Sequence, residues 1–357
     1  MPELVVLAEQ VLAPVPGGTG RYTAELLAAL AGAAPPGWTV VGVTAWHRSA
    51  GPYRRLPLGR RALTEVWARG LPLWPGGDAV HAPTPLAPPR PRRGRGLVVT
   101  VHDTVPYTHP ETLTPRGVAW HRAAIARATR QASAIVVPTA AVAEDLRRHA
   151  PGRAPVHVIG HGVPEVLLRE PSDAAATAGR LGLPDGYVLA VGTVEPRKGI
   201  DVLLKAMASA HAPDLPVVIA GPVGWGGVDV AALASTLGLA AGRVRVLGRI
   251  TDEDLAVVLR RASVLAVPSR AEGFGLPLLE AMALGVPVVH SDVPALVEVS
   301  GGAALVTPIG DATALAGALR AAVADPDAAN RGRARAANFT WSNAARSVWE
   351  LHRGLLS

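Results

Sequence analysis

Two carboxylates stand close together in one short segment of the chain, Glu-Gly-Phe-Gly-Leu-Pro-Leu-Leu-Glu, which runs from Glu272 to Glu280. They are eight residues apart, slightly more than two helical turns, so a helix that begins near Leu276 could direct both at one ligand. Gly273 and Gly275 let the backbone approach a bound group, and the free N–H groups of a first helical turn favour anionic oxygens. This combination suits a sugar phosphate.

The preceding segment, from Ala262 to Ser269, is apolar and ends in turn residues. It predicts a buried strand with Glu272 just beyond its carboxyl end, the edge at which open α/β sheets bind ligands. A simpler interpretation of the glutamates alone remains open. It comprises a Gly-Pro turn, a glutamate that complements a helix dipole, and a second glutamate in solvent.

The longer run from Pro268 to Ala283, with Gly-Val-Pro-Val-Val at 285–289 and Ser-Asp at 291–292, resembles the signature of glycosyltransferase family 4. The resemblance implies a retaining transferase that uses a nucleotide-sugar donor. It also implies the α/β fold called GT-B. In that fold two Rossmann-like domains with doubly wound parallel sheets face a central cleft, and a C-terminal helix crosses back to the first domain.

The same resemblance implies roles for the residues of the run. Glu272 would contact hydroxyl groups of the donor hexose, and Glu280 would contact the ribose. The backbone of Phe274, Gly275 and Leu276 would contact the sugar and the diphosphate. With the motifs described below, the implied catalytic residues are His102, Glu272 and Lys198. The implied substrate-binding residues are Gly17, Gly18, Asp103, Arg197, Ile250, Gly273, Phe274, Gly275, Leu276 and Glu280.

A glycine-rich run, Gly17-Gly18-Thr19-Gly20-Arg21, follows the predicted first strand and precedes a predicted helix that ends at Leu30. Backbone N–H groups in this context cradle phosphate, although the run is neither a G-x-G-x-x-G motif nor a Walker loop. A flexible strand-to-helix turn explains the glycines equally well. Family 4 enzymes carry a similar loop that faces the donor diphosphate, which implies Gly17 and Gly18 as contacts.

A second loop, from Val191 to Gly199, carries the cations Arg197 and Lys198 between a predicted strand and a predicted helix. Their charge would neutralise a diphosphate leaving group, and an exposed pair at a helix start is the alternative. Family 4 places a phosphate-binding lysine here, which implies Lys198. Many relatives have an arginine where this chain has Thr193. Either Arg197 therefore supplies the second cation, or fewer cations than usual neutralise the diphosphate.

Two further loops carry the remaining candidates. His102 and Asp103 follow the predicted strand from Leu97 to Val101. By resemblance His102 would lie at the donor sugar. The alternative is a histidine at a strand end whose hydrogen bonds are made within the protein, without a ligand. Asp103 either orients its neighbour or caps the following turn. Ile250 lies in a loop whose backbone, in relatives, contacts the nucleobase.

The composition of the chain limits the classes of protein and of site. Its 357 residues exceed the size at which one core keeps growing, which predicts two domains. The absence of cysteine excludes disulfides, thiolate metal sites and a cysteine nucleophile. The eleven histidines lack metal-ligand spacing, so we predict no metal and no cofactor besides the donor substrate. Since we find neither a basic leader nor about twenty unbroken apolar residues, we expect a cytoplasmic protein.

Positive charge is concentrated in the first half of the chain. Residues 1–165 carry 18 Lys or Arg against 10 Asp or Glu, a net charge of +8, and the remainder carries a net charge of −1. Such a surplus suits peripheral contact with an anionic membrane or a pyrophosphate-linked lipid, and solvated loops are the alternative. Only six residues are Phe or Tyr and they form no stacking motif, so we predict no nucleic-acid partner.

Apolar periodicity predicts alternating strands and helices in both halves, and therefore doubly wound parallel sheets. The predicted domains are residues 1–165 for the acceptor, 166–338 for the nucleotide-sugar, and a returning helix at 339–357. Residues 47–77 and 83–96 are rich in Pro, Gly and Arg and are predicted to be loops. The predicted strands are 4–8, 39–43, 79–80, 97–101, 134–137, 187–191, 216–220, 244–247, 263–267 and 287–290. The predicted helices include 21–30, 116–131 and 139–148.

We therefore predict a retaining hexosyltransferase of polysaccharide or glycolipid synthesis, with a carbohydrate or lipid-linked acceptor. The expected donor is GDP-mannose, and glucosyl, rhamnosyl or N-acetylglucosaminyl transfer from UDP or dTDP donors is the alternative. No carboxylate in these motifs is placed as a covalent nucleophile, so we expect a front-face substitution rather than a double displacement. Two other hypotheses are a GT-B-shaped epimerase and a basic module that binds membranes or nucleic acid.

Overall fold

A computed structural model gives the fold for residues 1–49, 51–224 and 226–356. Contacts between Cα atoms divide the chain into two units. The first unit comprises Met1–Gly162 and the residues from Thr340 onward, and the second comprises Val163–Phe339. These limits lie close to the domain boundaries predicted from the sequence.

The first unit is built on a parallel sheet of seven strands in the order β3-β2-β1-β4-β5-β6-β7. Val5 at its centre pairs with Val41 on one side and Val80 on the other. Burial on both faces explains why the central strands appear in the sequence as short, continuous apolar runs. The strands are β1 (Glu3–Leu7), β2 (Thr39–Thr44), β3 (Arg54–Arg55), β4 (Ala79–Ala82), β5 (Gly96–Thr100), β6 (Ala134–Val137) and β7 (Val156–Val158).

The helices of the first unit cover both faces of this sheet, as the doubly wound arrangement requires. Short 3-10 turns lie at Glu9–Leu12, after β1, and at Pro110–Thr112, between the third and fourth helices of the chain. The helices are α1 (Gly17–Gly32), α2 (Arg60–Ala68), α3 (Val105–Thr108), α4 (Pro115–Gln131) and α5 (Ala140–His149).

Two predictions for this unit were wrong in detail. Helix α1 begins at Gly17, so the glycine-rich run forms its first turn instead of a loop before it. The segment 47–77, of which residue 50 lies outside the described residues, contains strand β3 and helix α2. Helix α2 forms because Leu63 and Trp67 lie on one face and are buried in the core, a pattern that its arginines obscure.

The second unit repeats the architecture with six parallel strands in the order β10-β9-β8-β11-β12-β13. The strand order reverses between β8 and β11, and ligands of open α/β sheets bind beyond the carboxyl ends of strands at such a point. The strands are β8 (Val188–Val191), β9 (Val217–Ala220), β10 (Val244–Gly248), β11 (Val264–Val267), β12 (Val288–Ser291) and β13 (Leu305–Thr307).

Nine helices and one 3-10 turn, at Pro196–Lys198, accompany this sheet in the part of the chain that the structure describes. The helices are α6 (Glu165–Leu168), α7 (Ala174–Leu181), α8 (Ile200–Met207), α9 (Val230–Thr236), α10 (Asp252–Arg261), α11 (Leu276–Leu284), α12 (Pro294–Ser300), α13 (Ala312–Ala324) and α14 (Ala328–Ala336).

The C-terminal helix α15 (Trp341–Leu356) packs on the first unit, which confirms the predicted returning helix. Trp349 is its aromatic anchor. The Trp349 indole N–H donates a hydrogen bond of 3.0 Å to the carbonyl of Leu30, and its ring lies 5.5 Å from that of Trp38. Among the described residues, no helix is both long enough and apolar enough to cross a membrane.

Helix α15 also completes a buried polar network. His352 Nε2 lies 3.3 Å from His81 Nδ1 on β4, and His81 Nε2 lies 3.0 Å from Thr100 Oγ1 on β5. Thr100 Oγ1 in turn lies 3.2 Å from the Tyr22 hydroxyl on α1. Burial lowers the pKa of His352 to about 3, and burial followed by the nearby His352 lowers the pKa of His81. Both imidazoles are therefore neutral at pH 7.

We expect acid to destabilise the protein through these histidines. In the unfolded chain they bind protons near pH 6.5, whereas in the folded protein they stay neutral to a much lower pH. Above pH 6.5 their contribution to the free energy of unfolding is present in full. Below it, the free energy of unfolding should fall by about 1.4 kcal/mol per pH unit for each such histidine. Urea denaturation between pH 7 and pH 4 measures this slope.

The matched control is His352→Gln, because glutamine keeps a hydrogen-bonding group but does not titrate. We expect the free energy of unfolding to depend less steeply on pH than in the wild type. The difference in slope should be about 1.4 kcal/mol per pH unit, the value for one proton. Equal slopes would show that His352 is not held neutral.

Candidate functional site

The loop that follows β11 leads into α11, and glycine is required where they join. Gly275 is the residue before the helix and has a φ of 93°, in the left-handed region that favours glycine. A Cβ atom there would lie 2.4 Å from the Leu296 side chain. Pro277 fits the first turn, where its missing N–H costs nothing. The predicted helix start at Leu276 is confirmed.

Glu272 lies in this loop, and its side chain is 10% exposed. One carboxylate oxygen, Oε1, accepts hydrogen bonds from Lys198 Nζ at 2.6 Å and from Ser269 Oγ at 2.8 Å. The other oxygen, Oε2, lies 3.4 Å from Arg197 Nη1. Burial alone would raise the pKa of Glu272. The charges of Lys198 and Arg197 and the hydrogen bonds outweigh burial and lower the pKa to about 2, so the group is ionised.

The second cation, Arg197, is fixed between two carboxylates. Its Nη2 and Nε donate to Glu195 Oε1 at 2.7 and 3.1 Å, and its Nη1 also donates to the carbonyl of Ala271 at 2.8 Å. We call Glu195, Arg197, Lys198, Ser269 and Glu272 the carboxylate cluster. The cluster contains two acidic and two basic side chains, so their formal charges cancel.

The two loops of the cluster are braced by contacts that the sequence did not reveal. Arg270 donates to both carboxylate oxygens of Asp201, at 2.9 and 2.8 Å, and its backbone N–H donates to the carbonyl of Arg197 at 2.8 Å. Gly199 has a φ of 66°, and a Cβ atom there would lie 2.0 Å from the carbonyl oxygen of Pro268. The brace therefore requires both a bidentate arginine and a glycine.

The other predicted residues of the second unit lie in different environments. Gly273 and Phe274 are buried, and the Phe274 ring lies 5.8 Å from that of Phe339. Glu280 is 0% exposed within α11, unlike Glu272, and its predicted contact with a ribose stays a prediction. Ile250 is half-buried between β10 and α10, and the next residue, Thr251, caps α10 by accepting a hydrogen bond from the N–H of Asp254.

In the first unit, His102 lies just beyond β5 and is partly buried. Its Nε2 lies 2.8 Å from the carbonyl oxygen of Pro83, and its ring makes a T-shaped contact with that of Tyr22, with 4.6 Å between ring centroids. Burial lowers the pKa of His102, so the imidazole is neutral. Because a carbonyl only accepts, Nε2 carries the hydrogen and Nδ1 the lone pair. Asp103 accepts a hydrogen bond from the N–H of Val105 at 3.1 Å, which is the capping role.

Both His102 and Asp103 line a cavity of about 630 Å³ in this unit. Thr19 lines it as well, whereas Gly17 and Gly18 are exposed at the start of α1. Sequence reasoning missed Glu9, a buried carboxylate in the cavity wall, although its place directly after β1 was a usable signal. Among the described residues, no group of three His, Asp or Glu side chains could hold a metal ion.

Comparison with known families supports a transferase. The model described as Glycosyltransferase Family 4 matches residues 16–165, and the model described as Glycosyl transferases group 1 matches residues 173–339. D-inositol 3-phosphate glycosyltransferase 1 of Catenulispora acidiphila is 34% identical over 349 residues, which cover 88% of this chain and 82% of that protein. O-antigen chain mannosyltransferase B of Escherichia coli is 40% identical over 165 residues, 44% of this chain and 43% of that protein.

Solved structures share the fold over the whole chain. Sucrose-phosphate synthase from Thermosynechococcus elongatus has a TM-score of 0.75 and 24% identity, with 99% of each chain covered. Anabaena HepE, solved in complex with UDP and glucose, has a TM-score of 0.75 and 20% identity, with 99% of this chain and 100% of that chain covered. The two matched family models and the relative that aligns over most of its length show that this chain belongs to the GT-B glycosyltransferases.

Proposed function

We propose that this protein transfers a hexose from a nucleotide diphosphate sugar to a carbohydrate or lipid-linked acceptor, with retention of the anomeric configuration. The observation that carries the proposal is the ionised Glu272 beside Lys198 and Arg197, in the loop after β11. A carboxylate accepts hydrogen bonds from sugar hydroxyl groups, and the adjacent cations suit a diphosphate. The proposed donor site is in the second unit.

Lys198 is the proposed electrostatic stabiliser of the leaving group. An ammonium group has three N–H donors, so Lys198 can hold Glu272 and a diphosphate oxygen together. Negative charge develops on the diphosphate as the glycosidic bond breaks, and a fixed cation stabilises that charge most in the transition state. With Lys198 and Arg197 in this role, we propose that transfer needs no metal ion.

The proposed reaction is a front-face substitution. The bond between the anomeric carbon and the diphosphate oxygen breaks, and a bond from the acceptor oxygen forms on the same face. The proton of the acceptor hydroxyl passes to the departing diphosphate, so the step needs no protein nucleophile. The resemblance implies that His102 contacts a donor hydroxyl. Because its Nδ1 carries the lone pair, His102 would accept that hydrogen bond.

The donor is proposed to be GDP-mannose, in keeping with the similarity to the Escherichia coli mannosyltransferase. UDP-glucose is the competing candidate, because HepE was also solved in complex with that sugar nucleotide. The carboxylate cluster does not discriminate between them, since a glutamate can accept hydrogen bonds from equatorial or axial hydroxyl groups. The proposed roles of Gly17, Gly18, Ile250 and Glu280 toward the diphosphate, base and ribose rest on the family resemblance.

We also propose a cytoplasmic location with peripheral contact at an anionic membrane face. The supporting observation is a group of exposed arginines before β5: Arg90, Arg92 and Arg93. Arg95 is less available, because it forms an ion pair with Asp78. Exposed cations of this kind attract anionic headgroups within a Debye length.

Nucleotide binding tests the donor site. Calorimetric titration with GDP, UDP, ADP and dTDP should show selective binding of one nucleotide. Lys198→Met should weaken that binding by at least about tenfold, because a charge-assisted hydrogen bond to the diphosphate is lost. The matched control is Lys205→Met on α8. The Lys205 side chain is 54% exposed, and its Nζ lies 3.8 Å from Asp201 Oδ2. We therefore expect its loss to leave nucleotide affinity unchanged. Equal weakening in both variants, or no binding by wild type, would contradict the proposal.

Glu272→Gln tests the role of the carboxylate in transfer. Glutamine keeps the shape but removes the charge, so we expect kcat/KM to fall about 10²–10³-fold, the usual effect of one lost electrostatic contact in a transition state. The exposed Glu253→Gln on α10 is the control and should keep wild-type activity.

NMR spectroscopy of the first product gives its anomeric configuration. An inverted product, or full activity of Glu272→Gln, would refute the proposed mechanism.

A further inference from the structure

The two carboxylate oxygens of Glu272 are held unequally. Oε1 accepts hydrogen bonds from Lys198 Nζ at 2.6 Å and from Ser269 Oγ at 2.8 Å, and these two donors occupy both lone pairs of that oxygen. In the part of the chain that the structure describes, Oε2 has one hydrogen-bond partner, Arg197 Nη1, at 3.4 Å. That distance is longer than the usual range for an N–H donor, so Oε2 can still accept a hydrogen bond from a ligand hydroxyl group.

The three donors around this carboxylate differ in conformational freedom. Lys198 and Arg197 have long side chains with several rotatable bonds, and their charges attract either oxygen. The hydroxyl group of Ser269 is carried on a single side-chain bond, and the residue is 1% exposed. In such a closely packed position a serine fixes the direction of its hydrogen bond more strictly than the two cations do.

The backbone that carries the Ser269 hydroxyl group is itself held by neighbouring loops and strands. The carbonyl of Ser269 accepts a hydrogen bond from the hydroxyl group of Ser291, a residue at the end of β12 that is also 1% exposed. The N–H of the next residue, Arg270, donates to the carbonyl of Arg197 at 2.8 Å. The hydroxyl group therefore projects from a fixed backbone toward Glu272, three residues later.

Without this hydroxyl group, Glu272 would be held by cations alone. Lys198 and Arg197 could then pair with either oxygen or with both, because charge-assisted hydrogen bonds form readily at each carboxylate oxygen. Rotation of the carboxylate plane would bring Oε2 to a cation and leave it less available to a ligand. The serine thus decides which oxygen is used inside the protein.

We propose that Ser269 is a positioning residue for the donor sugar: its hydroxyl group holds Oε1 of Glu272, so that Oε2 stays available to a sugar hydroxyl group. This inference rests on the proposed function, because it assigns the ligand of Oε2 to the donor hexose. Ser269 touches no substrate in this assignment and acts through Glu272. The diphosphate, which is assigned to Lys198, does not depend on Ser269. Recognition of the sugar and of the diphosphate should therefore separate in a Ser269 variant.

Paired titrations compare the two parts of the donor. Calorimetry measures GDP beside GDP-mannose, and UDP beside UDP-glucose, in wild type and in Ser269→Ala. For the pair that binds, we expect Ser269→Ala to keep the affinity for the nucleoside diphosphate within about twofold. The matching sugar nucleotide should bind at least about fivefold more weakly, because a hydrogen bond to the sugar is lost. Ser269→Thr keeps the hydroxyl group and should retain the wild-type affinity for the sugar nucleotide.

The matched control is Ser300→Ala. Ser300 is buried at the end of α12, and its hydroxyl group lies 2.9 Å from His290 Nε2, outside the carboxylate cluster. This variant loses a buried hydroxyl group by the same substitution, so we expect both ligands to bind as they do to wild type. Thermal melting curves verify that the variants fold. If the added methyl group of Ser269→Thr overpacks the site and prevents folding, the NMR measurement below replaces it.

The carboxyl carbon resonance of Glu272 gives a second readout that needs no ligand. Burial raises the pKa of Glu272, and the charges of Lys198 and Arg197 lower it. The hydrogen bonds from Lys198 and Ser269 lower it further. Loss of the serine hydrogen bond should therefore raise this pKa, so that Glu272 titrates at higher pH in Ser269→Ala than in wild type. Ser300→Ala should leave the pKa of Glu272 unchanged.

Wild-type affinity for the sugar nucleotide in Ser269→Ala, an unchanged pKa of Glu272, or an equal loss of affinity in Ser300→Ala would overturn the assignment. An equal loss of nucleoside diphosphate and sugar-nucleotide affinity in Ser269→Ala would do so as well. Failure of this inference is distinct from failure of the proposed function. Nucleotide binding that requires Lys198, with sugar-nucleotide affinity that does not respond to Ser269, removes this inference alone. No binding of either nucleotide to the wild-type protein removes both.

Discussion

The ionised carboxylate of Glu272 is the constraint on which the second unit depends. A carboxylate that is only 10% exposed is costly unless cations and hydrogen bonds surround it, and Lys198, Arg197 and Ser269 provide them. These partners come from two loops, so the loops must meet with little freedom. The Arg270 pair with Asp201 and the close approach at Gly199 hold them together. The site is thus pre-organised before any ligand binds, and its cations and anions are balanced.

The buried titratable groups of the first unit differ from those of the second in their charge state. Burial keeps His102 uncharged beyond β5, and Arg60 Nε lies 3.8 Å from the buried carboxylate of Glu9. Helix α15 contributes to the same unit through Trp349 and His352, so the end of the chain stabilises the sheet that carries His102. The two units share a topology but differ in their buried titratable groups: an ionised carboxylate between two cations in the second and neutral histidines in the first.

Most strands could be predicted from the sequence, because strands buried on both faces form short apolar runs with few alternatives. The start of α11 was also predictable, since Gly275 and Pro277 specify it locally. Helix α2 was not, because its arginines dilute a buried stripe that only the tertiary core makes evident. The start of α1 at Gly17 ran against the low helix propensity of glycine. Partners distant in the chain, such as Arg270 and Asp201, left no local pattern.

The central claim is that Glu272 is held ionised by Lys198 and Arg197. NMR spectroscopy of glutamate carboxyl carbons, with Glu272→Gln to assign the resonance, measures this directly. The resonance of Glu272 should stay that of a carboxylate down to about pH 3, in line with a pKa of about 2, and should titrate at higher pH in Lys198→Met. A pKa near 4.5 in the wild-type protein, unchanged by Lys198→Met, would contradict the account.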